Sequence, residues 1–171
     1  AVEVEVRALS KTVHSGMWGG PLPDSAMALS KILATLVDEH GNIAIPGILE
    51  QVKPISETEL KNFKHVPYNE KEFREQSGML DGSRMMPTGA VPGKAALPKE
   101  VTPVIQVWRM PSLAVNAIQA SSRKQAGNVI NDASWAKVSI RLVDGMDPEK
   151  TAKLLKAHLE AKLRGIETKV Q

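Results

Sequence analysis

The fold follows from the stretch Ala1-Val2-Glu3-Val4-Glu5-Val6-Arg7-Ala8-Leu9, in which apolar and polar side chains alternate. The even positions of residues 2–9 share one face of an extended chain, and that face is apolar: Val2, Val4, Val6 and Ala8. On the opposite face, positions 3, 5 and 7 are charged: Glu3, Glu5 and Arg7. A period of two is typical of a strand that covers a core with one face and meets water with the other. We therefore expect a half-buried first strand.

Further strands are predicted near the end of the chain. The stretch Trp135–Val143 alternates again, and its apolar face consists of Ala136, Val138, Ile140 and Leu142. Two shorter runs, Val104–Trp108 and Leu113–Ile118, also favour extended structure on either side of Pro111. The segment Ile166–Val170 predicts a last strand.

Two helices are predicted from apolar spacing and capping signals. The first opens at Pro21 to Asp24, runs for about sixteen residues and stops at Gly41. The second opens at Asp147-Pro148, an N-cap followed by proline, and stops at Gly165. Their apolar stripes are Ala26, Leu29, Leu33 and Leu36 in the first, and Leu154, Leu155, His158, Leu159 and Leu163 in the second.

The order strand, helix, strand, strand, helix, strand predicts an α+β fold of the ferredoxin-like kind. That fold is a four-stranded antiparallel sheet with two helices on one face, and its first and last strands are neighbours. We expect one domain, 1–171, with a long irregular insert at about 41–103. Within the insert, Ser56–Lys64 and Asn69–Gln76 favour short helices, and Thr88–Lys94 favours a loop.

Composition narrows the classes of function. The net charge is +3 with mixed signs, so no basic stripe indicates nucleic-acid binding. No apolar run has the length of a membrane span. The absence of cysteine fits a cytoplasmic protein without disulfides or thiolate metal sites. Because the chain opens on Ala1, already in a strand pattern, we expect a piece excised from a larger protein, with adjacent ends.

Three polar residues are candidates for chemistry. His14 lies in the glycine-rich turn Thr12-Val13-His14-Ser15-Gly16-Met17-Trp18-Gly19-Gly20. It is either a turn histidine bonded to backbone or a donor to a developing oxyanion. Arg141, on the polar face of a strand, either covers the sheet or binds a carboxylate with its planar fork. Asn128 is by itself typical of a turn. The histidines show no metal-ligand spacing, so we expect no metal site in this chain.

Several motifs in order resemble the lid, or dimerization, domain of co-catalytic zinc peptidases. They are Arg7 to Gly20, Asp38 to Gly47, Trp108 to Leu113, Gly127 to Ile130, Ser139 to Val143 and Met146 to Glu149. The family includes carnosinase-like dipeptidases, glutamate carboxypeptidase, acetylornithine deacetylase and succinyl-diaminopimelate desuccinylase. The long insert favours the dipeptidase branch.

The resemblance implies roles for the three candidates. His14 would reach across a homodimer and stabilise the oxyanion in the partner's active site. Asn128 falls where the family has Asn or Thr, also contributed across the dimer, although Asn131 replaces the usual proline nearby. Arg141 matches the arginine that binds the carboxylate of a small peptide or acyl-amino acid substrate.

The resemblance also implies what lies elsewhere. Two zinc ions, or another divalent metal, and the general base would belong to the parent's catalytic domain, so this chain alone is expected to be inactive. An alternative is a non-catalytic self-association module. The sequence of the flanking domain, with or without metal ligands, would separate the two.

Overall fold

A four-stranded antiparallel sheet forms the centre of the molecule. The computed structural model describes residues 1–85, 101–124, 126–161 and 167–170. The strands are β1 (Val2–Arg7), β2 (Val13–His14), β3 (Ser112–Gln119), β4 (Val129–Ile130), β5 (Ala133–Arg141) and β6 (Glu167–Val170). The large sheet has the order β3-β5-β1-β6, and β2 pairs separately with β4. This order, with β1 antiparallel to both β5 and β6, confirms the ferredoxin-like prediction.

The helices lie mainly on one face of the sheet and in the connections. They are α1 (Ser15–Trp18), α2 (Ser25–Ala34), α3 (Glu57–Phe63), α4 (Glu70–Ser77), α5 (Pro103–Arg109) and α6 (Pro148–Ala161). The apolar face of the sheet packs against α2 and α6. This contact forms the core. Among its most buried side chains are Val4, Val6, Ala136 and Val138 from the strands, and Leu29, Ile32, Leu155 and Leu159 from the helices. In both β1 and β5, the apolar side chains therefore lie on the buried face of the sheet, as predicted.

The first long helix is shorter than predicted. It begins as expected, because the Asp24 carboxylate accepts hydrogen bonds from the backbone N–H groups of Ala26 and Met27 at 2.8 and 3.1 Å. It ends at Ala34 instead of continuing to Gly41. The β-branched Thr35 donates its hydroxyl to the carbonyl of Ile32 at 2.7 Å, and the chain then turns back on itself. The apolar Leu36 therefore belongs to the turn and not to the helix stripe.

The prediction of a strand at Val104–Trp108 is wrong, because these residues form α5. Thr102 is the N-cap, with its hydroxyl 3.5 Å from the Ile105 nitrogen, and Pro103 opens the helix. Ile105 is fully buried, whereas Val107 and Trp108 are exposed. In so short an apolar run, strand periodicity and helix periodicity cannot be told apart. Here the capping Thr102 and the following Pro103 favour a helix.

The segment 41–103 is partly core and partly appended structure. Helices α3 and α4 confirm the two short helices predicted there, with Ser56 and Asn69 as their N-caps. Its first residues, however, contribute five buried side chains to the main core: Ile43, Ile45, Ile48, Leu49 and Val52. The predicted loop at Thr88–Lys94 and the helix stop at Gly165 lie outside the described residues, as does the first residue of the predicted strand Ile166–Val170.

Candidate functional site

His14 stands at the junction between β2 and α1, where it is the N-cap of that short helix. Its Nδ1 accepts a hydrogen bond from the Gly16 backbone N–H at 3.1 Å, and the side chain is exposed. A neutral imidazole that accepts through one nitrogen carries its proton on the other. The turn therefore holds His14 with Nε2–H as a hydrogen-bond donor.

The glycines around His14 leave room for this arrangement. A Cβ on Gly16 would lie 3.0 Å from Cε1 and 3.2 Å from Nδ1 of the His14 ring. A Cβ on Gly19 would overlap the Ser15 carbonyl oxygen, and Gly20 has a φ of +106°. The glycine-rich turn is thus required both by close approach and by backbone conformation.

Asn128 lies beside His14 through the backbone. Strands β2 and β4 pair His14 with Val129, and the Ser15 N–H donates to the Asn128 carbonyl at 2.9 Å. Asn128 is exposed, as His14 is. The structure therefore brings together two of the three candidates, His14 within the small β2–β4 ladder and Asn128 directly before it.

Asp132 fixes the segments that lead into this ladder. Its carboxylate accepts from Arg7 Nη1 and from the Thr12 hydroxyl, each at 2.8 Å. Its carbonyl oxygen accepts from the N–H groups of Ala8 and Leu9 at 2.8 and 3.2 Å. The hydrogen bond from Thr12, reinforced by Arg7, holds the pKa of Asp132 below its usual value. One residue thus connects the end of β1 to the start of β5.

A buried hydroxyl pair supports the same region from the core side. Ser25 Oγ donates to the Asn131 carbonyl at 2.9 Å and lies 2.8 Å from Ser134 Oγ. Both serines are buried. Sequence reasoning missed Ser25 and Asp132. The sequence carried no signal for them, because the register that places Arg7 beside Ala133 is known only from the structure.

Arg141 lies at the far end of β5. From Ala133 to Arg141 the strand extends about 26 Å, at roughly 3.3 Å per residue. Arg141 Nη2 donates to the Met110 carbonyl at 3.0 Å, and Ser112 is its partner on β3. The structure therefore does not bring Arg141 together with His14 and Asn128.

A pocket of about 270 Å³ opens beside Arg141. Its apolar walls come from α4, α5 and the segments that follow these helices, and include Phe73, Met85, Pro103, Val107, Met110 and Pro111. Sequence reasoning missed this pocket because it assigned Val104–Trp108 to a strand. The Thr102-Pro103 start of α5 was a sequence signal against that assignment.

Metal ligands do not gather in the part of the chain that the structure describes. There, no three His, Asp or Glu side chains are close enough together to hold an ion. In the same residues, no helix has both the length and the apolar character needed to cross a membrane.

Comparison with known proteins gives a consistent set of relatives. A family model described as peptidase dimerisation domain matches residues 1–167. The Cys-Gly metallodipeptidase DUG1 of Saccharomyces cerevisiae is 31% identical over 159 residues, which cover 92% of this chain and 30% of that protein. The Beta-Ala-His dipeptidase of Mus musculus is likewise 31% identical, with the same coverage.

A solved structure gives the same result. Human carnosine dipeptidase 1 superposes with a TM-score of 0.82 at 27% identity, covering 99% of this chain and 34% of that one. The relatives are dipeptidases, which agrees with the branch that the long insert favours. The chain spans about 30% of the length of the curated relatives it matches.

Proposed function

Because the chain belongs to the peptidase dimerisation domain family, we propose that it is the lid and dimerization domain of a metal-dependent dipeptidase. The remaining part of the parent enzyme would be a catalytic domain that holds two zinc ions or another divalent metal. When bound, such ions activate water for attack on an amide carbonyl. This chain would contribute side chains to that reaction and would be inactive alone. A cytoplasmic location remains part of the proposal.

His14 is the proposed oxyanion donor. The observation that carries this role is the hydrogen bond from Gly16 to Nδ1, which leaves Nε2–H exposed and oriented by the turn. A donor that is fixed before the reaction stabilises developing negative charge without reorganising in the transition state. Asn128, which immediately precedes β4 and accepts a backbone hydrogen bond from Ser15, is proposed to assist from beside His14.

Arg141 is the proposed ligand of the substrate's terminal carboxylate, and its distance from His14 supports a two-subunit active site. A dipeptide extends only about 7 Å, whereas β5 separates the two ends of the sheet by about 26 Å. One chain therefore does not reach a single small substrate with both residues. We infer that each active site takes Arg141 from one subunit and His14 and Asn128 from the other.

The edge of the sheet offers a surface for this homodimer. In the described residues β3 is an outer strand, with one side of its backbone open to a further partner. Val115 and Ile118 on this strand are 40% and 62% exposed, although they stand opposite the buried Val138 and Ala136 of β5. An apolar edge of this kind favours pairing with a second copy.

Mixed dimers of the full-length enzyme test the proposal. His14→Ala and Arg141→Ala subunits, each of low activity alone, are co-expressed with different tags. If the active site is shared, half of the dimers are mixed and each has one intact site. About one quarter of wild-type activity then returns, and purified mixed dimers have about half.

The outcomes of this experiment separate the competing ideas. No recovery in purified mixed dimers would show that both residues act within one subunit, against the proposal. A full-length protein that dimerises but neither binds metal nor hydrolyses dipeptides would favour the self-association module. Light scattering establishes the dimer in each case.

A further inference from the structure

We propose that the pocket beside Arg141 receives the side chain of the substrate's carboxyl-terminal residue and selects an apolar one. This inference rests on the proposed function, in which Arg141 binds the terminal carboxylate. It adds a class of substrate: dipeptides that end in residues such as leucine or phenylalanine, in preference to glycine.

The first argument is the orientation of Arg141. One N–H of its guanidinium is bonded to the Met110 carbonyl at 3.0 Å, which holds the group at the wall of the pocket. A guanidinium has five N–H donors in a planar fork. The remaining donors are sufficient for a two-point contact with a carboxylate.

The second argument is the chemistry of the walls. The side chains of Phe73, Val107 and Met110 approach the pocket from α4, α5 and the segment before β3. Among the described lining residues, Arg141 is the charged one, and Gln106 and Ser112 are polar. A carboxylate on Arg141 places the adjoining α-carbon at the pocket, so the attached side chain meets apolar surface. The volume of about 270 Å³ has room for a leucine or phenylalanine side chain.

The third argument is that the wall formed by α5 is held in place. Arg109, the last residue of this helix, forms an ion pair with Glu59 of α3, with Nε and Oε1 2.7 Å apart but not aligned as a hydrogen bond. Its Nη2 also donates to the Lys53 carbonyl at 3.3 Å. The Arg109 side chain is only 12% exposed. A fixed wall discriminates between side chains better than a mobile one, because less order is lost on binding.

The test compares substrates on the full-length, metal-loaded enzyme. Dipeptides with amino-terminal alanine and carboxyl-terminal Gly, Ala, Leu or Phe are assayed for kcat/KM. We expect the leucine and phenylalanine peptides to exceed the glycine peptide by about 10- to 100-fold. Equal values, or a preference for glycine, would overturn the proposal.

Two variants of α5 locate the preference. Val107→Phe narrows the pocket and is expected to lower kcat/KM for the leucine peptide at least about tenfold, with the glycine peptide nearly unchanged. Val104→Phe makes the same substitution on the same helix away from the pocket lining, and should leave the ratio unaltered. An equal loss for all peptides in Val107→Phe would contradict the assignment.

A third comparison separates this inference from the function on which it rests. Wild-type enzyme should prefer a dipeptide to its carboxyl-terminal amide, and Arg141→Ala should abolish that preference. If the preference persists in Arg141→Ala, the role of Arg141 in the proposed function is wrong. If it disappears while Val107→Phe leaves side-chain selectivity unchanged, only the pocket assignment fails.

Discussion

The two ends of β5 are built in different ways. At the Ala133 end, short loops carry His14 and Asn128 in the open, and backbone hydrogen bonds together with Asp132 hold them. At the Arg141 end, the guanidinium borders an apolar pocket between helices. The first end presents a hydrogen-bond donor with little surface around it, which suits a reacting atom. The second end offers shape and apolar area, which suits recognition of a side chain.

The largest expected effect comes from removing the His14 imidazole, the hydrogen-bond donor at the Ala133 end of β5. His14→Ala in the full-length enzyme should lower kcat by about 100- to 1,000-fold, the cost of losing an oxyanion donor. Metal content, measured by atomic absorption, should stay the same. Normal turnover would remove His14 from the catalytic machinery.

A smaller loss of kcat should follow when the His14 imidazole is kept but displaced. Gly16→Ala places a methyl group 3.0 Å from His14 Cε1, so the imidazole must shift. We expect kcat to fall about tenfold, since a misplaced donor loses part of its stabilisation. In a His14→Ala background the same change should do almost nothing.

Gly127→Ala is the matched control for that variant. A Cβ there meets no atom within 4 Å, and the substitution lies on the neighbouring strand connection. Equal losses in the two alanine variants would indicate a general effect of glycine replacement, and not displacement of His14.

The smallest effect is expected from changing Asp132, which connects the segments at the Ala133 end of β5. Asp132→Asn keeps an acceptor for Thr12 but loses the charge that faces Arg7, at an expected cost of about 1 kcal/mol. The amides of Ala8 and Leu9, which donate to residue 132, should then exchange with solvent about fivefold faster. Hydrogen-exchange mass spectrometry or NMR of the full-length enzyme measures this, with the exposed Asp81→Asn as control.

The difference in amide exchange rate between Asp132→Asn and wild type should depend on pH in one direction. Because the pKa of Asp132 is lowered in the folded protein, its stabilisation is complete above the pKa of the unfolded state, about 3.9. It is lost as the pH falls through the lower folded value. The ratio of exchange rates between Asp132→Asn and wild type should be constant at pH 5 to 7 and shrink below about pH 4. A ratio that grows in acid would contradict the assigned cause.

The strands of the sheet could be predicted from the sequence because burial on one face imposes a period of two. Val4 and Val138 follow that rule in neighbouring strands. The starts of the helices were equally readable from Asp24 and Asp147, whose carboxylates accept backbone hydrogen bonds in the first turn. The predicted end of the first long helix was wrong because the apolar spacing continues in the sequence beyond the last helical residue. At Thr35 the side-chain hydroxyl bonds the Ile32 carbonyl, and the chain turns.

The sequence singled out His14, Asn128 and Arg141 as candidates, and their roles stay predictions; it did not show that they lie at two ends of the sheet. The spacing from Asn128 to Arg141 in the sequence does not say that a nine-residue extended strand separates them. The pocket was hidden for another reason, since Phe73, Val107 and Arg141 come from distant parts of the chain and meet only through tertiary packing. Their side chains carry no shared local pattern.

The hydrogen bond between Gly16 and His14 also determines what the histidine does not do. An imidazole coordinates a metal ion through a nitrogen with an available lone pair, and that of Nδ1 is occupied. Coordination through Nε2 would require the other tautomer and would break the bond to Gly16. While it keeps this hydrogen bond, His14 is therefore a donor through Nε2–H and not a ligand for a metal ion.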